Sequence, residues 1–336
     1  NNAGGIQNIM IGTYAGDALT SGDNNVAIGY YALSGGTSAG NNTAIGYQSM
    51  KALTTGVNNV AIGYNALLVA TTSDYNVAIG QSAGSEITDG NGQNTIVGRE
   101  AMRKTTNGAY NTAVGHECLY EQTTGEANTA FGRRSLYALT TASRNVSVGY
   151  SAGDTLTTGN NNVVVGYGSD VSGTGSANQI IMGYEVTSNG NNTFTFGNGS
   201  SDSAIAFGAT SISAPSDIRL KRNINDDVAG LSFINDLRPV TYEWKKEKDI
   251  PEDMKAHVAD SEKTFNNDFI NHGFIAQEVK EVIDNHSEIK DGFKMWVEDE
   301  IDGRQRIADG ALVPMLVKSI QELSAKNDSL ETSNTA

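Results

Sequence analysis

Short apolar runs that end in glycine recur along the first part of the chain at a nearly constant interval. The typical run is Asn-Val-Ala-Ile-Gly, as in residues 59–63. Nine of the ten intervals between the glycines are 17 residues, and the tenth is 18. The glycines are Gly12, Gly29, Gly46, Gly63, Gly80, Gly98, Gly115, Gly132, Gly149, Gly166 and Gly183. A fixed period of this length marks residues 1–183 as a tandem repeat.

Polar and apolar residues alternate within each run, with asparagine four positions before the glycine. Alternation with a period of two predicts a short β-strand, with Val60 and Ile62 on one face and Asn59 and Ala61 on the other. One repeat cannot bury its own apolar face, so successive coils must stack as a solenoid. The asparagines are then expected to form a ladder of side-chain amides between coils. They are Asn8, Asn25, Asn42, Asn59, Asn76, Asn94, Asn111, Asn128, Asn145 and Asn162, and Gln179 replaces the eleventh.

Two further repeat positions describe the rest of the coil. A small side chain stands three residues after the strand-ending glycines, which indicates a crowded place where coils meet. Cys118 occupies this position, so we interpret it as a buried substitute for alanine rather than a reactive thiol. Threonine stands eight residues after the glycines and is often followed by another glycine, which is typical of turns. Seventeen residues leave room for two short strands and two turns per coil.

The period breaks down after Gly183. The next strand-ending glycines, Gly197 and Gly208, follow at intervals of 14 and 11 residues, and Phe194, Phe196 and Phe207 appear near them. Disordered linkers seldom carry such aromatic alternation. We therefore predict that residues 184–215 form a transition in which three chains interleave short strands.

Residues 216–336 have a different pattern, which predicts a separate α+β domain. An apolar helix-like run around Phe233 ends before Pro239, and alternation over residues 240–244 predicts a strand. Residues 245–268 are charged and irregular, which indicates an exposed loop, and residues 273–279 lead into an amphipathic helix.

The C-terminal residues follow a heptad pattern. Apolar residues alternate at spacings of three and four, with one polar position of the kind that fixes the register of a parallel oligomer. The alternative is a helix packed on its own domain, but we favour a coiled coil because a polar tail follows. The predicted trimer seam is Val313, Leu316, Ile320, Leu323, Asn327 and Leu330.

Composition narrows the choice of function. The net charge of −15 argues against nucleic acid and anionic membranes as partners. Cys118 is the only cysteine, so there is no intrachain disulfide, and no apolar run is long enough to span a bilayer. No leader sequence is recognisable, and the chain begins at Asn1 without a methionine, so we expect a fragment or a processed product.

Ser216 and Lys221 lie at the point where the composition changes. Residues 1–215 hold 33 of the 38 glycines, whereas residues 216–336 hold 41 of the 61 charged side chains. A serine and a lysine five positions apart can act as nucleophile and base, although a Ser-Asp pair is also a common cap of a helix or turn. Residues alone leave both interpretations open.

The repeat resembles the head domains of trimeric bacterial adhesins, whose parallel β-rolls carry a similar Asn-x-Val-Ala-Ile-Gly strand. The resemblance covers about residues 6–183 and implies a trimeric β-roll. The fold prediction is therefore an all-β trimeric β-solenoid with 17-residue coils, followed by an α+β domain that ends in a coiled-coil helix. The domains are residues 1–183, the transition 184–215, and residues 216–336.

The segments Ser216-Asp217-x-Arg219-x-Lys221, 237–244 and 273–279, with the terminal helix, resemble the C-terminal intramolecular chaperone of phage endosialidases, tail fibres and neck appendages. This family is a self-cleaving serine-lysine peptidase. The resemblance implies that Ser216 is the nucleophile and Lys221 the general base, acting once and in cis. It implies only a positioning role for Asp217 and Arg219. Pro215 is the residue directly before the proposed nucleophile. The broken bond is either Pro215–Ser216 or Ser216–Asp217. The chain departs from the family at residues 283–284, where Ile-Asp replaces a common proline.

We therefore expect a homotrimeric phage tail fibre or appendage whose rod binds a glycan or protein receptor on the host surface. It is expected in the virion tail, and in the host cytoplasm during assembly, with no cofactor, no metal and no membrane insertion. The alternative is the head of a bacterial trimeric adhesin. A glycan-cleaving rod would need paired acids, but the 13 acids before Ser216 fall at unrelated repeat positions. Ice binding by the threonine row would need a flat strand face, whereas the adjacent glycines indicate turns.

Overall fold

The structure is a computed structural model that describes residues 5–88, 92–199, 201–209, 216, 218–289, 295–298 and 303–335. The chain divides into two compact units, Asn1–Asp217 and Ile218–Ala336. In these described ranges the first unit holds a sheet of thirteen strands, and the second holds three α-helices and two small two-stranded sheets.

The first unit is a β-solenoid in which successive coils add strands to one parallel sheet in chain order. Neighbouring strands pair in register, so that Val60 lies opposite Val77 and Ile62 opposite Ile79. The predicted β-solenoid of 17-residue coils is confirmed. Strands β1 to β10 are Ile9–Ile11, Val26–Ile28, Thr43–Ile45, Val60–Ile62, Val77–Ile79, Thr95–Val97, Thr112–Val114, Thr129–Phe131, Val146–Val148 and Val163–Val165.

Each coil contains one strand, so the expectation of two strands per coil is wrong. After the strand the chain takes left-handed conformations, with φ of 57° at Asn65 and 48° at Leu67. Such residues interrupt an extended backbone. This second arm still bonds from coil to coil, because the Leu67 amide donates to the Ala83 carbonyl at 3.0 Å. The strand-ending glycine is required here, since a Cβ on Gly63 (φ 139°) would lie 2.5 Å from the Gly80 carbonyl oxygen.

The middle residue of each strand faces the interior. Ala61 is fully buried in the same core as Leu67, whereas Val60 and Ile62 on the other face are partly exposed. Cys118 is also fully buried, and burial raises the pKa of its thiol to about 12. The interpretation of Cys118 as a buried alanine substitute rather than a reactive thiol is thus confirmed.

Asparagine side chains form a continuous ladder inside the solenoid. The side-chain oxygen of Asn111 accepts two bonds from Asn128, from the backbone amide at 2.9 Å and from Nδ2 at 3.2 Å. Asn111 Nδ2 donates to Asn94 Oδ1 at 3.2 Å and to the Gly125 carbonyl at 2.9 Å. The same pattern connects the asparagines from Asn8 to Asn162. Each coil is therefore tied to the next by its side chains as well as by its backbone.

The threonines form a second ladder on the surface. Thr54 Oγ1 donates to the Thr71 carbonyl at 2.9 Å, and the pattern runs from Thr20 to the carbonyl of Thr174. The hydroxyls thus donate hydrogen bonds to backbone carbonyl groups of the next coil, in keeping with the turn chemistry expected for this position.

The sheet continues past the last regular coil. Strand β11 (Gln179–Tyr184) pairs in parallel with β12 (Thr193–Asn198), and β13 (Ser201–Ala206) returns antiparallel to β12. These strands pair within one chain, and the interleaving of three chains over 184–215 stays a prediction; residues 200 and 210–215 lie outside the described residues.

The second unit has its own core. Helix α1 (Leu231–Asp236) packs with α2 (Ala276–Asn285) and α3 (Val313–Thr335) around the buried side chains of Phe233, Val279 and Met315. The two small sheets are β14 (Val240–Tyr242) with β15 (Asn271–Gly273), and β16 (Trp296–Glu298) with β17 (Gln305–Ile307). Short 3-10 helices cover Ile218–Leu220, Glu247–Asp249 and Asp309–Leu312. An α+β domain ending in a helix is confirmed.

Candidate functional site

The Ser216–Lys221 segment lies at the division between the two units. Ser216 is exposed and belongs to the first unit, whereas the exposed Arg219 and Lys221 belong to the second. A 3-10 helix spans Ile218–Leu220, and the Lys221 amide donates to the Ile218 carbonyl at 3.1 Å. Pro215 and Asp217 lie outside the described residues.

Apolar side chains around this segment are exposed. Ile218 and Leu220 are each 72% exposed, and Ile224 and Val228 are also largely exposed. Exposed large apolar side chains grouped along one segment indicate a surface that another chain covers.

Two motifs of the second unit meet through an ion pair. Arg238 comes from the Leu-Arg-Pro segment, and Glu278 comes from the Gly-Phe-Ile-Ala-Gln-Glu-Val segment. The guanidinium holds the carboxylate in a bidentate contact, with Nε donating to Oε2 at 2.9 Å and Nη2 donating to Oε1. This contact lowers the pKa of the Glu278 carboxyl. The strands that adjoin these segments, β14 and β15, are paired.

An apolar cleft lies beside strand β14, which follows the Arg238 segment. It has a volume of roughly 680 Å³, and Tyr242, Trp244 and Phe265 form its aromatic wall. The indole nitrogen of Trp244 is buried without a hydrogen-bond partner.

Helix α3 presents two faces with different roles. Leu312 just before it, with Met315 and Ser319, is buried against its own unit, and Glu322 caps α1 by accepting a bond from the Leu231 amide at 2.9 Å. The predicted seam lies on another face. Its apolar residues Val313, Leu316, Ile320, Leu323 and Leu330 are between 43% and 65% exposed, and Asn327 is exposed.

The outward face of the solenoid sheet is mostly apolar and partly exposed. It consists of the first and third residues of each strand, which are mostly β-branched. Among the most exposed are Ile79, Phe131, Val146 and Val148. A mostly apolar, partly exposed row that runs over ten coils exceeds the scattered apolar residues normal on a monomer.

A further row, which we name the corner row, was not predicted from the sequence. It contains the residue directly after each strand-ending glycine: Thr13, Tyr30, Tyr47, Tyr64, Gln81, Arg99, His116, Arg133, Tyr150, Tyr167 and Tyr184. The tyrosines stack on one another, with ring centroids 5.0 Å apart for Tyr47 and Tyr64 and 5.1 Å apart for Tyr150 and Tyr167. The 17-residue period would have revealed this row.

One cluster within the described residues has the composition of a metal site. Single ligand atoms of Glu100, His116 and Glu117 lie within 4.8 Å of one another. The carboxylates already contact arginines: Glu100 lies 3.3 Å from Arg99, and Glu117 lies 3.9 Å from Arg134. These guanidinium groups compensate the negative charge that would attract a cation.

His286 connects two elements of the second unit. Its Nδ1 lies 2.8 Å from the Glu288 carboxylate and its Nε2 lies 2.8 Å from that of Asp236 on α1. Hydrogen bonds to Glu288 and then to Asp236 raise the pKa of His286 above its ordinary value of 6.5. The same contact lowers the pKa of Glu288. When it is protonated, the imidazole donates to both carboxylates.

We expect the second unit to lose stability as the pH rises above 6.5, the ordinary pKa of histidine. A raised folded-state pKa of His286 contributes stability that is present below the unfolded value near 6.5 and is lost as the pH rises through the folded value. Thermal melting followed by tryptophan fluorescence reports on this unit, because both tryptophans lie in it. His286→Gln should flatten this pH dependence, whereas His272→Gln, at an exposed position, should not. Equal slopes for the two variants would contradict the assignment.

No helix in the described part of the chain is long and apolar enough to cross a membrane. Comparison with known families gives one match: residues 216–288 match the peptidase S74 family, chaperone of endosialidase. No curated protein and no solved structure matches the chain significantly. Residues 216–288 are thus similar to the chaperone domain of endosialidases, and a β-solenoid followed by such a segment supports a phage tail fibre-like protein.

Proposed function

We propose that this chain forms a homotrimeric phage tail fibre or appendage whose rod binds the host surface. Its C-terminal unit assembles the trimer and then releases itself by one self-cleavage in cis, with Ser216 as nucleophile and Lys221 as general base. The observation that carries the proposal is the family match, which begins at Ser216. The domains are then the receptor-binding rod 1–183, the transition 184–215 and the chaperone 216–336.

The proposed chemistry is acyl transfer to the serine. The neutral Lys221 amine accepts the proton of Ser216 Oγ as this oxygen attacks a peptide carbonyl beside it. The C–N bond breaks, the leaving amine takes a proton, and an ester forms at Ser216. Water then hydrolyses the ester and regenerates the hydroxyl. Burial or a neighbouring cation must lower the pKa of a lysine that acts in this way, and Arg219 and Arg222 are the nearest candidates along the chain.

Assembly supplies the geometry in this proposal. Ser216, Arg219 and Lys221 are all exposed in the single chain, and Ile218 and Leu220 between them are exposed as well. Packing of three such segments would bury these apolar side chains and hold serine, lysine and target carbonyl together. Positioning of this kind accounts for a large share of the barrier reduction in catalysis. Cleavage would thereby follow completed folding.

Two uncovered surfaces support the trimer. In one chain the seam on α3 is exposed, and the outward face of strands β1–β10 is mostly apolar and partly exposed. Burial of apolar area contributes roughly 25 cal/mol per Å², so continuous surfaces of this kind favour association. The seam belongs to the second unit and the outward face to the first, so each unit offers a surface for association.

Self-cleavage should be complete in the wild type and absent in Ser216→Ala and Lys221→Ala. Each variant removes one partner of the proton transfer, so we expect the chain to stay whole. Mass spectrometry of the purified protein measures the fragments, and the first residue of the C-terminal fragment distinguishes the two candidate bonds. If that fragment begins at Ser216, the Pro215–Ser216 bond is cut; if it begins at residue 217, the next bond is cut.

Matched controls are Ser201→Ala and Lys255→Ala, which remove the same groups at other exposed positions. Both should cleave like the wild type. A wild-type chain that forms a folded trimer, as shown by light scattering, and yet stays intact would contradict the catalytic assignment.

A further inference from the structure

We propose that the corner row is the receptor-contacting surface of the rod and that it binds a linear acidic polysaccharide with carboxylate-bearing sugars. The inference rests on the proposed role of the rod in host binding, and it assigns to that role a place and a ligand chemistry.

The first observation is the composition of the row. Its eleven residues, one per coil, comprise six tyrosines, one threonine, one glutamine and, on three consecutive coils, Arg99, His116 and Arg133. None is acidic, although the chain carries a net charge of −15. Acidic residues do occupy the neighbouring turn positions, including Glu100 and Glu117. Acidic side chains are therefore absent from this row while they are common beside it.

The second observation is the charge at the centre of the row. Residues 99–134 hold five of the seven basic residues found in residues 1–215. Arg133 is exposed, and its described contacts are to neutral groups: Nη1 donates to the Tyr150 hydroxyl at 2.8 Å, and Nε donates to His116 Nδ1 at 3.4 Å. Arg99 is exposed too, although it lies 3.3 Å from Glu100. A guanidinium that is held in place and not matched by a carboxylate suits a carboxylate ligand, which it can bind bidentately.

The third observation is the stacked aromatic surface on both sides of this centre. Tyr30, Tyr47 and Tyr64 form one stack, and Tyr150, Tyr167 and Tyr184 form the other, with 40–51% of each residue exposed. Tyrosine offers a large contact area with few rotatable bonds, and stacking orders it before any ligand arrives. Apolar ring area and a hydroxyl together match the mixed surface of a sugar.

The geometry favours a linear polymer over a compact ligand. Successive side chains repeat at about 5 Å along the stack, and the row is open along its length. Contacts of modest strength, repeated along one chain, add up through multivalency. Nucleic acid fits less well, because its dense phosphate charge would face the acidic residues beside the row.

Affinity electrophoresis of the assembled protein tests the proposal with three linear polyuronate-containing probes, alginate, pectate and hyaluronan, and with neutral dextran. We expect at least one acidic probe, and not dextran, to retard the wild type, with the retardation weakening as NaCl is raised. Arg133→Gln should weaken binding about tenfold through loss of a charge-assisted contact. Arg144→Gln, which neutralises an exposed arginine outside the row, should bind like the wild type.

Hydroxyl-radical footprinting locates the surface. Tyr47 and Tyr64 should be accessible in the free trimer and protected by the bound polymer. Protection of these tyrosines in the free trimer would show that a second copy covers the row and would overturn the proposal. So would a lack of retardation by every acidic probe, or equal affinities of the two arginine variants.

Self-cleavage and trimer mass are measured on the same samples. A wild type that cleaves and trimerises but binds no acidic probe overturns only the assignment of the corner row. A wild type that neither cleaves nor trimerises counts against the proposed function itself.

Discussion

Replacing Asn111 by leucine should lower the melting temperature of the rod by several degrees. The substitution removes four hydrogen bonds: two that Asn111 Nδ2 donates and two that its Oδ1 accepts. The backbone amide of Asn128 then loses its described acceptor inside the solenoid. A buried group that loses its partner costs about 1–3 kcal/mol, and in a trimer the loss occurs three times. Thermal melting followed by circular dichroism measures the effect.

Asn107→Leu is the matched control for this experiment. It makes the same chemical change in the neighbouring turn, at an exposed position. Its melting temperature should stay within about a degree of the wild type, since surface substitutions change stability by roughly 0.5 kcal/mol or less. Equal melting temperatures for wild type and Asn111→Leu would contradict a stabilising role for the ladder.

Removal of residues 312–336 should prevent assembly altogether. The deletion takes away α3, including the exposed seam and the Glu322 cap of α1. Helical contacts are local in sequence and form before long-range coil stacking, so the seam can align three chains before the rod folds. Repeats with nearly identical strands can otherwise pair out of register. We expect aggregates or monomers in size-exclusion chromatography with light scattering.

The comparison of two rods isolates the chaperone effect. Residues 1–215 expressed directly should aggregate, because apolar sheet surface is exposed with no register imposed. The same rod released by self-cleavage of the full chain should stay a soluble trimer. Two equally soluble trimers would show that the C-terminal unit is not a chaperone for this rod.

Point variants separate the seam from the rest of the helix. Ile320→Glu with Leu323→Glu places charges on the exposed seam and should abolish trimers. Ser329→Glu adds a charge outside the predicted seam positions and should not.

The sequence predicted the repeat because each structural constraint recurs every coil. The glycine without room for a Cβ recurs eleven times and the asparagine of the ladder ten times, and a small inward residue accompanies them in most coils. The second strand per coil was predicted wrongly because left-handed residues such as Leu67 carry no special residue type. Backbone hydrogen bonds to the next coil stabilise the left-handed conformation at these residues. A local sequence pattern does not reveal such bonds.

The second unit shows the same limit. Its helices follow from apolar spacing, but the pairing of Arg238 with Glu278 spans forty residues. The contact of His286 with Asp236 spans fifty. Neither leaves a periodic signal, so only the folded chain reveals them. Helix α3 combines both cases. The heptad pattern predicted a seam, whose residues are exposed, and left open a helix packed on its own domain, as an adjacent face of α3 packs on α1.

The single 18-residue interval shows where the rod tolerates extra length. Thr88 and Asn94 are six positions apart, whereas the corresponding Thr71 and Asn76 are five apart, so the additional residue lies between threonine and asparagine. The ladder continues across it, with Asn94 Nδ2 donating to Asn76 Oδ1 at 3.0 Å, and strands β5 and β6 stay in register. One additional residue between threonine and asparagine, where residues 89–91 lie outside the described residues, therefore leaves the pairing of the neighbouring coils unchanged. A display scaffold carrying foreign loops at a spacing of one per coil could be engineered at these positions.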